Sequence, residues 1–256
     1  MKRGSKWLIQ KKKALRTEKS STIWLFGLHA VREALINPKR ELLRLIVTKN
    51  AWNKLTNAIA YCGISPELSD ARRFAAPLDS SSIHQGAALE TKALDWGDVK
   101  KQCGSASRVI LLDRITDPHN VGAILRSAEV FGAQAVIGTR HHSAAESGAL
   151  AKAASGALER QPYFRVSNLV GIINDLQKMG FFVLGLDGES KHQIEDILNG
   201  FVASPIAIVV GSEGYGLRPS TQTACDALAR IEAAHDFGSL NVSNAAAIAL
   251  YAARRT

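Results

Sequence analysis

Three short segments hold the side chains of this sequence best placed to do chemistry. The first runs Asp117-Pro118-His119-Asn120-Val121-Gly122 and on to Arg126. The second is Gly211-Ser212-Glu213-Gly214-Tyr215-Gly216-Leu217. The third is Ser239-Leu240-Asn241-Val242-Ser243, followed by an alanine-rich stretch. The three glycines of the second segment permit positive φ and close backbone approach. Their spacing, Gly-x-x-Gly-x-Gly, is not that of a dinucleotide-binding loop, and Glu213 inside it would repel a phosphate. That disfavours NAD and ATP and suits a cationic or neutral ligand. Arg126 sits among Ala123, Ile124, Leu125, Ala128 and Val130, so a buried placement is expected, where a guanidinium needs a partner or a ligand anion. Taken singly, Asn120, Ser239 and Asn241 could equally be helix caps.

These segments must be held by something, and the flanking sequence says what. Val109–Leu112, Ala135–Gly138, a strand near 163–166, Phe181–Leu186 and Ile206–Val210 read as strands, several of them apolar throughout and so buried on both faces. Helices are expected at about 120–131, 146–155, 168–179 and 242–254. Alternation of this kind implies an α/β domain with a parallel sheet covered on both sides. Each of the three segments then falls where a strand gives way to a helix, the usual ligand-binding edge of such sheets.

Upstream, Leu28, Val31 and Leu35 mark a helix stopped by Asn37-Pro38. A strand is expected over 43–48, a helix over 51–62 ending at Gly63, a short helix over Asp70–Arg73 and a strand over 86–89. The expected domains are a basic tail at 1–21, a small α/β domain at 22–96, a polar linker at 97–107 and the larger domain at 108–256.

The net charge of +9 is uneven. Residues 1–20 carry eight Lys or Arg and one Glu, and residues 21–100 carry ten basic against eight acidic groups. Residues 101–256 carry fourteen of each. A polybasic tail attracts phosphate backbones without reading their sequence. Apolar runs are too short to span a bilayer, so no membrane partner is expected. Cys62, Cys103 and Cys225 are widely spaced, which speaks against a disulfide framework and a zinc site and fits a reducing, cytoplasmic setting.

In order and placement the three segments resemble the SpoU (TrmH-like) branch of the SPOUT RNA methyltransferases. The resemblance covers roughly residues 107–256. Phe26–Leu35 is similar to the start of the ribosomal-protein-like substrate-binding domain that precedes the catalytic domain in many members. Ser155-Gly156-Ala157, Glu159, Pro162 and Arg165-Val166 are similar to members acting on large-subunit ribosomal RNA. The resemblance implies a knotted (trefoil) α/β methyltransferase domain, a homodimer, and S-adenosyl-L-methionine as cofactor, with no metal. It implies methyl transfer to a ribose 2′-hydroxyl of ribosomal RNA, pointing to a guanosine of 23S rRNA. Main chain near Gly211, Ile231 and Leu240 would hold the cofactor, while Asn120, Arg126, Glu213, Ser239 and Asn241 would line the catalytic site. Glu232 stands where many members have Pro, His235–Gly238 replaces a commoner small-residue loop, and Asn244 replaces a small apolar residue. Transfer RNA as substrate, and a catalytically silent RNA-binding or assembly protein, are the alternatives.

Overall fold

The computed structural model describes residues 22–201, 204–234 and 240–254. The expected basic tail, residues 1–21, and Ser239 lie outside the described residues. The chain separates into two compact units, Met1–Asp95 with Glu146–Lys152, and Trp96–Ala145 with Ala153–Thr256.

In the first unit, strands β1 (Thr22–Phe26), β2 (Leu42–Val47), β3 (Glu67–Leu68) and β4 (Ala87–Lys92) form one sheet in the order β1-β4-β2-β3. Strand β4 runs antiparallel to β1 and β2, and β3 joins β2 in parallel. Helices α1 (Leu28–Ile36) and α2 (Lys49–Cys62) pack together. Helix α1 buries Ala30, Val31, Ala34 and Leu35, one stripe at helical spacing. Helix α2 starts at Thr48, whose Oγ1 accepts from the Ala51 N–H at 3.3 Å, and stops at Gly63, with φ +71. The expected short helix at Asp70–Arg73 is instead a tight turn. Asp70 and Arg73 form an isolated bridge, and the Arg72 N–H donates to Asp70 Oδ1 at 2.7 Å. A carboxylate that takes a backbone donor two residues on offers the chain an alternative to helix.

The second unit opens with α3 (Val99–Cys103), capped by Asp98, in the stretch expected to be linker. Its sheet comprises β5 (Arg108–Asp113), β6 (Ala135–Thr139), β7 (Tyr163–Val166), β8 (Phe182–Leu186), β9 (Ile206–Gly211) and β10 (Ala227–Ala229). All pairings are parallel, in the order β10-β8-β9-β5-β6-β7. Val109 and Leu111 join a core with Ile173, Leu176, Val183 and Val209. Ile110 and Leu112, pointing the other way along the same strand, are equally buried. The sheet is therefore covered on both faces, as its apolar strands require.

The covering helices are α4 (Pro118–Val130), α6 (Leu169–Lys178), α7 (Ile194–Asn199), α8 (Pro219–Ala224) and α9 (Val242–Ala252), while α5 (Gly148–Ala154), which falls between β6 and β7 in sequence, belongs up to Lys152 to the first unit. Helix α9 packs on α4 and on β9. Its alanines permit this, since Ala246 and Ala249 are fully buried. Gly122 of α4 lies so close to Ala153 that an added Cβ would come within 2.5 Å of that side chain. Because the strands are parallel, β5, β9, β8 and β10 all end at one edge of the sheet.

Candidate active site

That edge brings three distant segments into one hydrogen-bonded group. Asn120 Nδ2 donates to Glu213 Oε1 at 2.9 Å. Asn241 Nδ2 donates to Asn120 Oδ1 at 3.0 Å and to Glu213 Oε1 at 2.5 Å. One residue from each motif thus meets the other two, although Asn120 and Asn241 are 121 positions apart.

Each side chain is placed by a local rule. Asp117, not Asn120, caps α4: its Oδ1 accepts from the His119 N–H at 3.0 Å, and Pro118 takes a first-turn position that suits it. With the cap supplied, Asn120 is free to face Glu213. Asn241 combines both readings open in the sequence. Its Oδ1 caps α9 by accepting from the Ser243 N–H at 2.9 Å, while its amide nitrogen serves the cluster. Glu213 rides a loop closed by an isolated Ser212–Gly216 bridge and a Gly216 N–H to Ser212 carbonyl bond of 2.9 Å. Gly211 must be glycine here, because an added Cβ would meet the Gly216 carbonyl carbon at 2.1 Å. Gly214 and Gly216 have φ of +85 and +61, and Tyr215 stands out into solvent.

An inventory of donors shows what the cluster can still bind. Among the described residues, Asn120 keeps one amide hydrogen unused, and Glu213 keeps Oε2. A hydroxyl fits that pair, donating to the carboxylate oxygen and accepting from the amide.

Arg126 departs from expectation. It is exposed, and among the described residues it has no hydrogen-bond or ion-pair partner. Helical phase explains the difference. Val121, Ile124, Leu125 and Ala128 form the buried stripe, and Arg126 lies roughly 140° from Val121 at about 100° per residue. It shares its face with Val130, a valine that is 75% exposed. Glu213 binds Asn120 and Asn241.

Gly211 ends β9, and Ile231 follows the residue that continues β10 through a bridge to Gln193. Leu240, 48% exposed, immediately precedes Asn241. Among the described residues, the N–H groups of Ile231, Glu232, Ala233 and Ala234 take no backbone partner. A main chain that runs along the ligand edge with free donors and acceptors can hold a small molecule. The expected backbone grip by Gly211, Ile231 and Leu240 is therefore compatible with the residues present.

One contributor escaped the sequence reading. Asp113, expected in the loop after β5, is the strand's last residue and is fully buried. Its two oxygens accept from the Arg218 N–H at 3.0 Å and from Arg218 Nε at 2.7 Å. This clamp fixes the far end of the Glu213 loop to β5. Position alone carried no signal, since a terminal Asp after an apolar strand is commonplace. Asp113→Asn is expected to destabilise the protein by about 1–3 kcal/mol, because an amide cannot accept both bonds. Urea unfolding of the variant, with turnover measured alongside, checks this; unchanged stability would refute the clamp.

Two of the three cysteines are held in the thiol form by burial. Burial pushes the Cys103 thiol up to about 11, with the Asp98 charge adding to it. Burial likewise pushes Cys225 up to about 12, aided by Asp226 and Asp113.

Residues 107–251 match the model of the SpoU rRNA Methylase family, and residues 24–96 match that of RNA 2′-O ribose methyltransferase substrate binding. The chain is 33% identical over 245 residues to the 23S rRNA (guanosine-2′-O-)-methyltransferase RlmB of Vibrio parahaemolyticus, covering 92% of this chain and 97% of that one. It is 35% identical over 240 residues to the RlmB of Photobacterium profundum, covering 90% and 96%. Among solved structures, the SpoU methyltransferase AviRb from Streptomyces viridochromogenes in complex with AdoMet superposes with a TM-score of 0.76 at 20% identity, covering 94% of this chain and 95% of that one. The AdoMet-bound rRNA methyltransferase from Sinorhizobium meliloti gives 0.75 at 22% identity, covering 96% and 90%.

Proposed function

The chain belongs to the SpoU rRNA Methylase family, and from that premise we propose that it methylates a guanosine ribose 2′-hydroxyl of 23S rRNA, using S-adenosyl-L-methionine, as a homodimer in the cytoplasm. The observation that carries the site assignment is the Asn120–Glu213–Asn241 group, which unites the three motifs around a donor and an acceptor unused among the described residues. The relatives named for 23S rRNA span nearly the whole chain, including the amino-terminal unit, which favours ribosomal over transfer RNA.

When bound, S-adenosylmethionine supplies an electrophilic methyl group on a sulfonium. Main chain at Gly211, Ile231 and Leu240 would hold it. This chain's own side chains prepare the hydroxyl. Glu213 Oε2 accepts its hydrogen bond, and the free Asn120 N–H donates to its oxygen. Holding reactants in line in this way can be worth roughly 7–11 kcal/mol. Asn241 keeps Asn120 and Glu213 in register while capping α9. A guanidinium holds its proton too tightly to serve as a base, so Arg126 is not assigned that part. Its role is to hold a substrate phosphate and stabilise negative charge on the attacking oxygen.

The dimer is supported by an apolar surface on two adjacent helices. Val130 on α4, and Ile248 and Tyr251 on α9, are 75%, 38% and 52% exposed. Phe131 and Tyr251 touch edge to face, with ring centroids 5.7 Å apart. The trefoil knot belongs to the same proposal, since the described residues do not trace residues 235–239.

The test is incubation of purified chain with labelled S-adenosylmethionine and unmodified 23S or transfer RNA. One 2′-O-methylguanosine in 23S rRNA is expected from mass mapping of digests, with a dimeric mass in sedimentation equilibrium. Label in transfer RNA alone would refute the substrate assignment.

A further inference from the structure

The amino-terminal unit contains a cleft of about 470 Å³ that none of the chemistry above uses. Three separate stretches line it. Lys49 and Asn50 come from the start of α2, Asp70 from the turn after β3, and His84 and Gln85 from the approach to β4.

The lining is held in place from behind. Gln85 has φ +55, unusual for a residue other than glycine. Its Oε1 accepts from the Leu28 N–H at 3.0 Å, which leaves its amide hydrogens available. The His84 ring stacks on Phe74, with centroids 4.1 Å apart and planes 15° from parallel. Its Nδ1 accepts from the Gly86 N–H at 3.1 Å, so a neutral ring carries its hydrogen on Nε2. Asp70 spends Oδ1 on the turn and retains Oδ2. Lys49 and Asn50 are exposed, and among the described residues neither has a partner. On either side of the cleft's loops, Leu68 and Ile83 are 65% and 66% exposed.

This set discriminates among ligands. A simple anion is disfavoured by Asp70, and a single carboxylate is too little to hold a divalent cation. An unpaired nucleotide satisfies all of it. The His84 ring, a lining residue held against Phe74, suits a base. Amide and imidazole donors suit its acceptors, and Lys49 suits the attached phosphate. Unpaired bases, splayed out and stacked, are also what RNA-reading proteins recognise most specifically.

We propose that this cleft binds one unpaired nucleotide of the RNA substrate, with guanine preferred because Asp70 Oδ2 can accept from its ring N–H and amino group. The proposal rests on the RNA-methyltransferase reading but concerns binding rather than chemistry.

The experiment measures fluorescence anisotropy of full-length protein with hairpin RNAs. One carries a single bulged guanosine, one a bulged adenosine, and one is fully paired. The bulged-guanosine hairpin is expected to bind about tenfold tighter than the paired one. Asp70→Asn keeps Oδ1 for its turn and is expected to erase the preference for guanosine over adenosine. Lys49→Ala with Asn50→Ala is expected to weaken both bulged hairpins by about tenfold, with S-adenosylmethionine affinity unchanged. Equal binding of all three hairpins by the wild type, or variants that bind as the wild type does, would overturn the cleft assignment. If methyl transfer to 23S rRNA persists in that case, the proposed function stands without it; if no RNA is methylated, both fall.

Discussion

Arg126→Ala is expected to lower methyl-transfer turnover by about 10³-fold, the scale on which loss of one transition-state donor is felt. S-adenosylmethionine affinity, measured by calorimetry, should stay within about a factor of two, since the cofactor is assigned to main chain elsewhere. The interpretation is unusually clean because Arg126 is exposed and unpaired among the described residues. Exposed substitutions of this kind usually change stability by less than about 0.5 kcal/mol. A fall in rate would therefore report chemistry rather than unfolding. Single-turnover kinetics at saturating RNA separates a lost oxyanion contact from lost phosphate binding. A variant with ordinary turnover would end the role assigned to Arg126.

The position of Arg126 also ties catalysis to assembly. It lies on the α4 face that carries exposed Val130, about 120° around the helix from Asn120 at roughly 100° per residue. In the proposed homodimer, pairing over that face would bring Arg126 to the partner's site. Mixing Arg126→Ala subunits with Asn120→Ala subunits should then restore part of the activity, because one native site can be rebuilt per mixed dimer. Absence of any rescue would place each site wholly within one chain.

What could be read from the sequence depended on how local its cause was. The buried strands of the larger unit were legible because continuous apolar runs have few other uses. Gly63 marked the end of α2 because a left-handed residue is needed there. The strands β1 and β3 were not read, since five and two residues carry too little periodicity. Arg126 was misplaced by averaging hydropathy along the helix instead of following its phase. Asn120 and Asn241 could not be told from caps, because a cap and a catalytic amide have the same sequence appearance. The observed Asp117 cap shows that Asn120 is not the cap of α4, and Asn241 both caps α9 and bonds to Asn120. Their meeting with Glu213 depends on strand order, which no local pattern encodes. It reached the sequence reading solely through resemblance.

The second large effect is expected from Glu213. Its Oε1 accepts from both asparagines, at 2.9 and 2.5 Å. Glu213→Ala removes that shared acceptor and the oxygen assigned to the ribose hydroxyl together. Turnover should fall by about 10²–10³-fold. Asn120→Ala alone should cost a similar factor, since it removes the other half of the hydroxyl's seat. The informative measurement is the double variant. If the two side chains act independently, their losses multiply. If they form one unit, as the bonds indicate, the second substitution has little left to remove. The double variant is therefore expected to be no more than about tenfold slower than either single one. Glu213→Gln refines the point: an amide can still accept at one oxygen but must turn its nitrogen toward a neighbour. A loss close to that of Glu213→Ala would mean the charge matters, whereas near-complete retention would mean that only an acceptor is needed. Losses that multiply in the double variant would show that the hydrogen-bonded cluster is not a functional unit.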